Sequence, residues 1–179
     1  MKKSVLVLVG SPRKEGNTMR LVKAFAKGAA ANADVEIVMV SDYNVAPCKA
    51  CEYCHQGERP VCCQKDDMQL LYDKMNRADV LVLASPIYFF GMSAQLKTVI
   101  DRLHNPIRKE FPIKKLGMIA VAGSSKPFMF DTVKRQFEIA CSYLGFESIG
   151  MVTAGGMREL GDVEGTEFMQ QAEAMGMNC

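Results

Sequence analysis

Alternating strand and helix patterns restrict the fold of this chain more than any other feature of its sequence. Five short runs rich in Val, Ile, Leu, Met or Ala have the pattern of strands that are covered on both faces. These runs are Ser4–Val9, Val35–Val40, Val80–Ala84, Met118–Ala122 and Glu147–Thr153. Apolar residues at helical spacing follow most of them, beginning for example at Leu21, Leu96 and Val133. This order predicts an α/β fold, with a parallel sheet between two layers of helices.

The chain is expected to form a single domain over residues 1–179. Its length suits one α/β core, and no repeat, low-complexity tract or Pro/Ser-rich linker divides it. Only the cysteine-rich loop 47–64 lacks strand or helix periodicity, and so long a loop in a compact domain is usually functional. After this loop, Asp66 is predicted to be the N-cap of a helix over Asp67–Arg77.

Composition excludes several classes of protein. Hydrophobic residues make up 49% of the chain and charged residues 23%, so it is not expected to be disordered. The net charge of +2 gives no reason to expect nucleic acid or an anionic membrane as a partner. The run Val5–Val9 is too short for a signal peptide, and Ser85, Pro86 and Gly91 interrupt the longest apolar stretch. We therefore expect a globular, cytoplasmic protein without a membrane-spanning segment.

The loop after the first strand, residues 10–18, has the composition of a phosphate site. It runs from a buried strand directly into a helix, where backbone N–H groups favour an anion. Hydroxyl, guanidinium and amide groups there can complete a phosphate shell, and they belong to Ser11, Arg13, Asn17 and Thr18. The loop lacks the Gly-Lys-Ser/Thr ending of nucleotide-triphosphate loops and the G-x-G-x-x-G pattern of dinucleotide folds. A polar turn that only caps a helix is the alternative.

Residues 88–90 are three consecutive aromatics, and they lie in the loop Ser85–Gly91 after the third strand. Loop aromatics are exposed unless something flat covers them, and a planar heteroaromatic ring would stack there. They could instead pack inward beneath the next helix or form a subunit contact. The loop after the fourth strand is small and polar, with Gly123 and Ser124. It could close over the carbonyl edge of such a ring or be a simple turn.

Five of the seven cysteines crowd into one short segment. An odd number of cysteines in a chain without a secretory signal argues against a disulfide framework. Four thiolates within one connection are a standard ligand set for a 4Fe–4S cluster, and here they are Cys48, Cys51, Cys54 and Cys62. The adjacent Cys63 could replace Cys62. The same thiols can hold zinc, and the segment could also bind no metal.

The two histidines are assigned no chemistry of their own. His55 lies inside the cysteine segment, where it could tune or replace a cluster ligand but is expected to be a solvated loop residue. His104 falls at a predicted helix end, where a histidine interacts favourably with the helix dipole.

Together these segments resemble a known family. The residues that carry the likeness are Gly-Ser-Pro-Arg-x-x-Gly-Asn-Thr at 10–18, Lys-Asp-Asp-Met at 65–68, Ser-Pro-Ile-Tyr-Phe at 85–89, Ser-Ala-Gln-Leu-Lys at 93–97 and Ile-Asp-Arg at 100–102. Over almost its whole length, the chain is similar to NADPH-dependent FMN reductases of the flavodoxin-like superfamily. Within that family it most resembles the iron–sulfur flavoprotein branch.

The resemblance implies a flavodoxin-like three-layer sandwich, with a five-stranded parallel sheet of order 2-1-3-4-5 and FMN at its switch point. The implied FMN-phosphate contacts are Ser11, Arg13, Asn17 and Thr18. The implied isoalloxazine contacts are Pro86, Ile87, Tyr88, Phe89 and Gly91, with Gly123 and Ser124 near the dione edge. The implied cluster ligands are Cys48, Cys51, Cys54 and Cys62.

The function implied by the resemblance is that of an FMN-dependent oxidoreductase. NAD(P)H or ferredoxin would supply electrons, and a 4Fe–4S cluster or a small acceptor such as a quinone would receive them. A homodimer or homotetramer is expected, because a neighbouring subunit could bring its cluster close to the flavin. Two alternatives are a cluster-free NAD(P)H-dependent FMN or quinone reductase and a non-enzymatic electron carrier.

Overall fold

The computed structural model describes residues 2–58 and 60–179, which form six strands and five helices. The strands are β1 (Lys3–Val9), β2 (Ala33–Met39), β3 (Val80–Tyr88), β4 (Gly91–Met92), β5 (Lys115–Val121) and β6 (Glu147–Ala154). The helices are α1 (Asn17–Ala29), α2 (Met68–Met75), α3 (Ala94–Arg102), α4 (Asp131–Leu144) and α5 (Glu167–Met177). Among the described residues, no helix has the length and apolar character needed to cross a membrane.

Five of the strands form one parallel sheet in the order β2-β1-β3-β5-β6. The short β4 pairs only with the end of β3, in antiparallel orientation. Without β4, the order is the predicted 2-1-3-4-5, so the predicted sheet is confirmed.

Strand β3 is longer than predicted, because it continues past Ala84 to Tyr88. Proline is tolerated in a strand only where its missing N–H is not needed by a neighbour. The pairing with β1 ends at Ala84, so Pro86 has a partner only on the β5 side, at Val121. Residues 85–88 therefore belong to the strand end rather than to the predicted loop Ser85–Gly91.

Side chains along each strand alternate between two separate cores. Val5, Val7 and Val9 of β1 pack on the face covered by α1 and α5. Leu6 and Leu8 pack on the opposite face, which α2, α3 and α4 cover. This arrangement confirms the predicted three-layer sandwich with helices on both faces of the sheet.

Helices α1 and α5 approach each other through two glycines. A Cβ atom on Gly28 would overlap the carbonyl oxygen of Glu173 and lie 2.8 Å from its carbon. A Cβ atom on Gly176 would overlap the carbonyl oxygen of Phe25 and lie 2.8 Å from the nitrogen of Ala29. The two backbones are thus in direct contact, which only glycine permits at these positions.

The helix predicted over Asp67–Arg77 is shorter, since α2 begins at Met68 and ends at Met75. Asp67 occupies the N-cap position without a side-chain capping bond. Asp66, the predicted N-cap, does accept a hydrogen bond from the Met68 N–H at 3.2 Å. Its main partner, however, is an arginine on α3, described below.

Candidate functional site

The loops that follow β1, β3, β5 and β6 meet at the carboxyl edge of the sheet and enclose a cavity of about 310 Å³. Ligands of open parallel sheets bind at this edge. The cavity is lined by Ser11, Arg13, Gly16, Asn17, Thr18, Pro86, Ile87, Tyr88, Val121, Gly123, Met157 and Arg158.

Most residues proposed for an FMN site line this one cavity, although the loops that supply them are far apart in sequence. Phe89, Gly91 and Ser124 were also predicted and do not line it. Four lining residues were not predicted: Gly16, Val121, Met157 and Arg158.

One end of the cavity has the features of an anion site. Helix α1 begins there after Gly16, and no side chain in the described part of the chain caps its first N–H groups. The hydroxyls of Ser11 and Thr18 are buried beside it. The Ser11 Oγ accepts a hydrogen bond from the Arg13 N–H at 3.2 Å, which leaves its own proton free to donate. Uncapped N–H groups, two hydroxyls and the Arg13 guanidinium together suit a phosphate.

The side chain of Asn17 is engaged with a different partner. Its Nδ2 donates to the Glu159 carbonyl at 2.8 Å, and its Oδ1 accepts from the Gly161 N–H at 3.0 Å. These two bonds hold the loop after β6 against the start of α1. The predicted contact of Asn17 with phosphate stays a prediction, and the structure adds a positioning role for its amide.

A tight hairpin between β3 and β4 lies beside the other end of the cavity, which it reaches through Tyr88. Tyr88 pairs with Gly91, so Phe89 and Phe90 are the two central residues of the turn. Both have left-handed backbones, with φ of 45° and 67°. This is the pattern of a type I′ turn, which favours Asn-Gly and is costly for phenylalanine. Phe89 is 95% exposed, so it does not pack inward beneath the next helix.

The backbone strain of this hairpin can be measured. Replacing Phe89–Phe90 by Asn-Gly is expected to raise the free energy of unfolding of the FMN-free protein by about 1–2 kcal/mol, because left-handed backbone is costly for phenylalanine. Urea denaturation tests this expectation. Phe128→Asn is the matched control, because Phe128 is also exposed and its ring lies 6.5 Å from that of Phe90, but its backbone is not left-handed. A loss of stability in the Asn-Gly variant would contradict the assignment of strain.

A chain of serine hydrogen bonds ties the two ends of the cavity together. The Ser93 N–H donates to the Ser85 Oγ at 2.8 Å, and the Ser93 Oγ donates to the Gly10 carbonyl at 2.8 Å. All three bonded groups are buried, so these bonds are shielded from water. The end of β1 and the start of α3 are thereby held in one geometry.

Arg158 is the one charged side chain among the four lining residues that sequence reasoning missed. The Met157 N–H donates to the Ala122 carbonyl at 2.9 Å, and Arg158 Nε donates to the Gly123 carbonyl at 3.2 Å. Gly156, with φ of 82°, allows the turn that brings Arg158 back over β5. The sequence does carry one signal for this residue. A Gly-Gly pair follows the last strand directly, and that strand ends at the carboxyl edge of the sheet, where ligands bind.

The cysteine-rich loop 47–64 lies against the C-terminal end of α3. The Sγ atoms of Cys51 and Cys63 are 3.4 Å apart, and the Cys62 Sγ accepts a hydrogen bond from Arg102 Nη2 at 3.3 Å. Partial burial raises the pKa of Cys54, and the nearby charges of Cys62 and Cys48 add to this effect. The five thiols thus lie in one region of the loop, but among the described residues no three of them are close enough to share a single ion. Cys62 and Cys63 have different neighbours, and the choice between them as a fourth ligand stays open.

A buried ion pair fixes both ends of this loop. Arg102 Nη1 donates to Asp66 Oδ2 at 2.6 Å and to the Ala46 carbonyl at 2.9 Å. The Asp66 carboxylate also accepts from the Ala46 N–H at 3.0 Å. Burial by itself would raise the pKa of Asp66, but hydrogen bonds from Arg102, Ala46 and Met68 outweigh it and hold the pKa below the ordinary value of 3.8.

Comparison with known proteins shows to which family the chain belongs. The family model for NADPH-dependent FMN reductases matches residues 3–158, which is most of the chain. The chain belongs to this family. As a member of the FMN reductase family, it combines the family's fold with a cysteine-rich loop between β2 and α2.

Among its relatives are iron–sulfur flavoproteins of archaea. The chain is 37% identical over 125 residues to an iron–sulfur flavoprotein from Methanocaldococcus jannaschii, and the match covers 68% of this chain and 63% of that protein. It is also 37% identical over 119 residues to one from Methanosarcina thermophila, covering 65% and 61%. The match therefore spans about three fifths of the length of these relatives. A Bacillus subtilis protein, named as an NAD(P)H-dependent FMN-containing oxidoreductase, is 29% identical over 167 residues, covering 89% and 88%.

Solved structures show the same fold. An NAD(P)H:quinone oxidoreductase from Methanothermobacter marburgensis superposes with a TM-score of 0.76 at 17% identity, covering 99% of this chain and 97% of that one. An azoreductase from Bacillus anthracis superposes with a TM-score of 0.71 at 17% identity and covers both chains completely. At this level of identity the likeness establishes the fold that this FMN reductase family member shares with them.

Proposed function

We propose that this protein is an FMN-dependent oxidoreductase that takes electrons from NAD(P)H and passes them to a 4Fe–4S cluster or to a small acceptor. The observation that carries the proposal is the cavity at the carboxyl edge of the sheet. It joins an uncapped helix N-terminus at one end to Pro86, Ile87 and Tyr88 at the other, where β3 leads into an exposed aromatic hairpin. Such a combination suits a ligand with a phosphate at one end and a flat ring at the other.

At the phosphate end, the hydroxyls of Ser11 and Thr18, the first N–H groups of α1 and the Arg13 guanidinium would hold the FMN phosphate. The hydroxyls are buried beside the helix start, and the arginine side chain reaches it from the exposed loop. A helix N-terminus stabilises an anion most within its first turn. This end therefore provides affinity and anchors the cofactor.

At the ring end, Pro86, Ile87 and Tyr88 would support the isoalloxazine, with Gly123 near its dione edge. Bound FMN supplies the chemistry, since it accepts a hydride and releases electrons singly or in pairs. The exposed Phe89 would shield the ring from water, while Arg158 holds the Gly123 carbonyl in place. The role of the protein is thus to bind, orient and cover the cofactor.

The thiols of Cys48, Cys51, Cys54 and Cys62 are proposed to hold a 4Fe–4S cluster. Four cysteines on one loop fit the ligand set of such a cluster, and several relatives are named iron–sulfur flavoproteins. Arg102 donates to the Cys62 sulfur, and hydrogen bonds to ligand sulfurs tune cluster potentials. A cluster in this position would convert two-electron chemistry at the flavin into one-electron transfer.

A homodimer or homotetramer is part of the proposal. The hairpin aromatics and three of the five loop cysteines are exposed in the single chain, so a second subunit could cover the hairpin and approach the cluster loop. Ferredoxin is a candidate electron donor for the same reason, because its cluster could approach an exposed loop.

The phosphate assignment is tested by comparing FMN with riboflavin, which lacks the phosphate. Arg13→Ala is expected to weaken FMN binding by about 10- to 100-fold, the effect of one hydrogen bond to a charged group. Riboflavin binding should change little. Fluorescence titration of the FMN-free protein measures both affinities. Lys14→Ala is the matched control, because Lys14 is the neighbouring exposed cation and does not line the cavity.

An equal loss of affinity for FMN and riboflavin in Arg13→Ala would contradict the phosphate assignment.

Turnover of NADPH by the FMN-loaded protein distinguishes an enzyme from an electron carrier. Steady oxidation of NADPH with a quinone acceptor supports an enzyme. Negligible oxidation, together with rapid reduction by ferredoxin, would instead support a non-enzymatic electron carrier.

A further inference from the structure

We propose that Glu52, His55 and His104 form a binding site for a divalent transition-metal ion, with Zn²⁺ as its simplest occupant. This site is separate from the cysteine thiols and independent of the flavin. His55 and His104 are the only histidines in the chain, and they are 49 positions apart in sequence. The fold nevertheless brings both to the same carboxylate.

The three donor groups have the spacing of metal ligands. The His104 Nε2 lies 3.2 Å from Glu52 Oε1, and the His55 Nε2 lies 3.8 Å from Glu52 Oε2. All three donor atoms lie within 4.8 Å of one another. Tetrahedral Zn²⁺ with bonds of about 2.0–2.1 Å places its ligand atoms roughly 3.3 Å apart. Small side-chain rotations would bring the three groups to that spacing.

The arrangement around the Glu52 carboxylate differs from that of an ordinary surface ion pair. One histidine would satisfy the Glu52 carboxylate, but here two imidazoles approach it, one at each oxygen. The two rings are 4.8 Å apart and tilted by 44°, so they are not simply stacked. Two imidazoles and one carboxylate are a donor set that suits zinc and other first-row divalent ions.

Local structure holds two of the ligands on the same side of the cysteine-rich loop. Glu52 is the N-cap of a single 3-10 turn over Tyr53–His55, and its carbonyl accepts a hydrogen bond from the His55 N–H at 3.0 Å. His104 comes directly after the last turn of α3, two residues beyond Arg102. Because Arg102 binds the base of the same loop, the third ligand is supplied by a rigid part of the fold.

A metal ion in this position would link the cysteine-rich loop to α3 by a second attachment. The side chains of all three residues are about one third to one half exposed, so a metal can enter and keep water in a remaining position. His55 and His104 also line the mouth of an apolar cavity of about 570 Å³ between α3 and α4. The ion would therefore fix the position of the loop at that mouth.

The two histidines make a specific test possible, since a bond from zinc to Nε2 shifts that ring nitrogen far more than zinc bound to a neighbouring thiol does. The protein, purified anaerobically with its own cofactors and labelled with ¹⁵N, is titrated with Zn²⁺ while the histidine ring nitrogens are followed by NMR. We expect the Nε2 signals of both histidines to shift together and to saturate at one ion for the pair. Unchanged ring signals, with zinc taken up elsewhere, would overturn the proposal.

Variants distinguish joint binding from independent effects. His104→Gln is expected to weaken the Zn²⁺ response of His55 by at least about 10-fold, since even indirect partners of metal ligands contribute that much. Glu52→Gln should have the same effect. Lys109→Gln, a nearby exposed residue that contacts none of the three groups, should leave the titration unchanged. A His55 response that is unaltered in His104→Gln would show that the histidines do not share an ion.

Discussion

Replacing Arg102 with methionine is expected to lower the free energy of unfolding by about 3–5 kcal/mol, because it leaves a buried carboxylate without its partner. The side chain of Arg102 is 2% exposed and that of Asp66 is 10% exposed, so water cannot replace the lost contact. The Ala46 carbonyl and the Cys62 sulfur lose a donor in the same variant. Urea denaturation of the purified variant measures the loss.

Two controls show whether burial of the ion pair causes the loss of stability in Arg102→Met. Arg135→Met removes the arginine of an exposed pair with Glu138, and it should change stability by less than about 0.5 kcal/mol. The second control is pH. Because the folded pKa of Asp66 is lowered, its contribution is complete above the unfolded value near 3.8 and is lost as pH falls through the lower folded pKa.

The difference between wild type and Arg102→Met should therefore be constant near neutral pH and shrink below about pH 4. A cost as small as that of Arg135→Met would contradict the assignment of a buried ion pair at the base of the cysteine-rich loop. A difference that does not change with pH would contradict the role of the Asp66 charge.

The second large effect is expected at the contact between α1 and α5. Replacing glycine by alanine inside a helix normally raises stability by up to about 1 kcal/mol. Gly28→Ala should instead lower it by at least about 3 kcal/mol, at the upper end of overpacking costs, since the new methyl group would overlap the backbone of Glu173. Backbone atoms cannot move aside as a flexible side chain can, so the two helices must separate.

Gly176→Ala tests the same contact from the other helix and should be similarly destabilising, because its methyl group would overlap the backbone of Phe25. Gly91→Ala is the control, since a Cβ atom there would meet nothing within 4 Å. Thermal and urea denaturation of the FMN-free variants report the differences. A stabilised Gly28→Ala protein would show that helix propensity outweighs the contact and would contradict the packing described for α1 and α5.

The strands could be predicted because burial on both faces leaves a strong local signal. The continuous apolar run at Val5–Val9 is such a signal, and β1 has almost the predicted bounds. The end of β3 was less accessible to sequence reasoning. Whether Pro86 continues a strand depends on where the neighbouring strand β1 stops. The pairing of β3 with β1 ends at Ala84, whose carbonyl accepts a hydrogen bond from the Gly10 N–H, and nothing at the proline itself reveals this.

The parts of the site that sequence reasoning missed depend on contacts between distant residues. Asp66 has the residue type of an N-cap, but its main partner is Arg102, 36 positions later. The left-handed turn at Phe89 contradicts the local preference of phenylalanine, which is typical of strain retained at functional sites. The meeting of His55 with His104 leaves no trace in spacing or periodicity.

The absorption spectrum of the protein purified without oxygen shows whether FMN and a 4Fe–4S cluster are both bound. We expect two flavin bands on a broad absorption that dithionite bleaches, with release of FMN on denaturation. Flavin bands alone would contradict the cluster and leave a simple flavin reductase. A colourless protein that takes up no added FMN would contradict both the FMN site and the proposed oxidoreductase function.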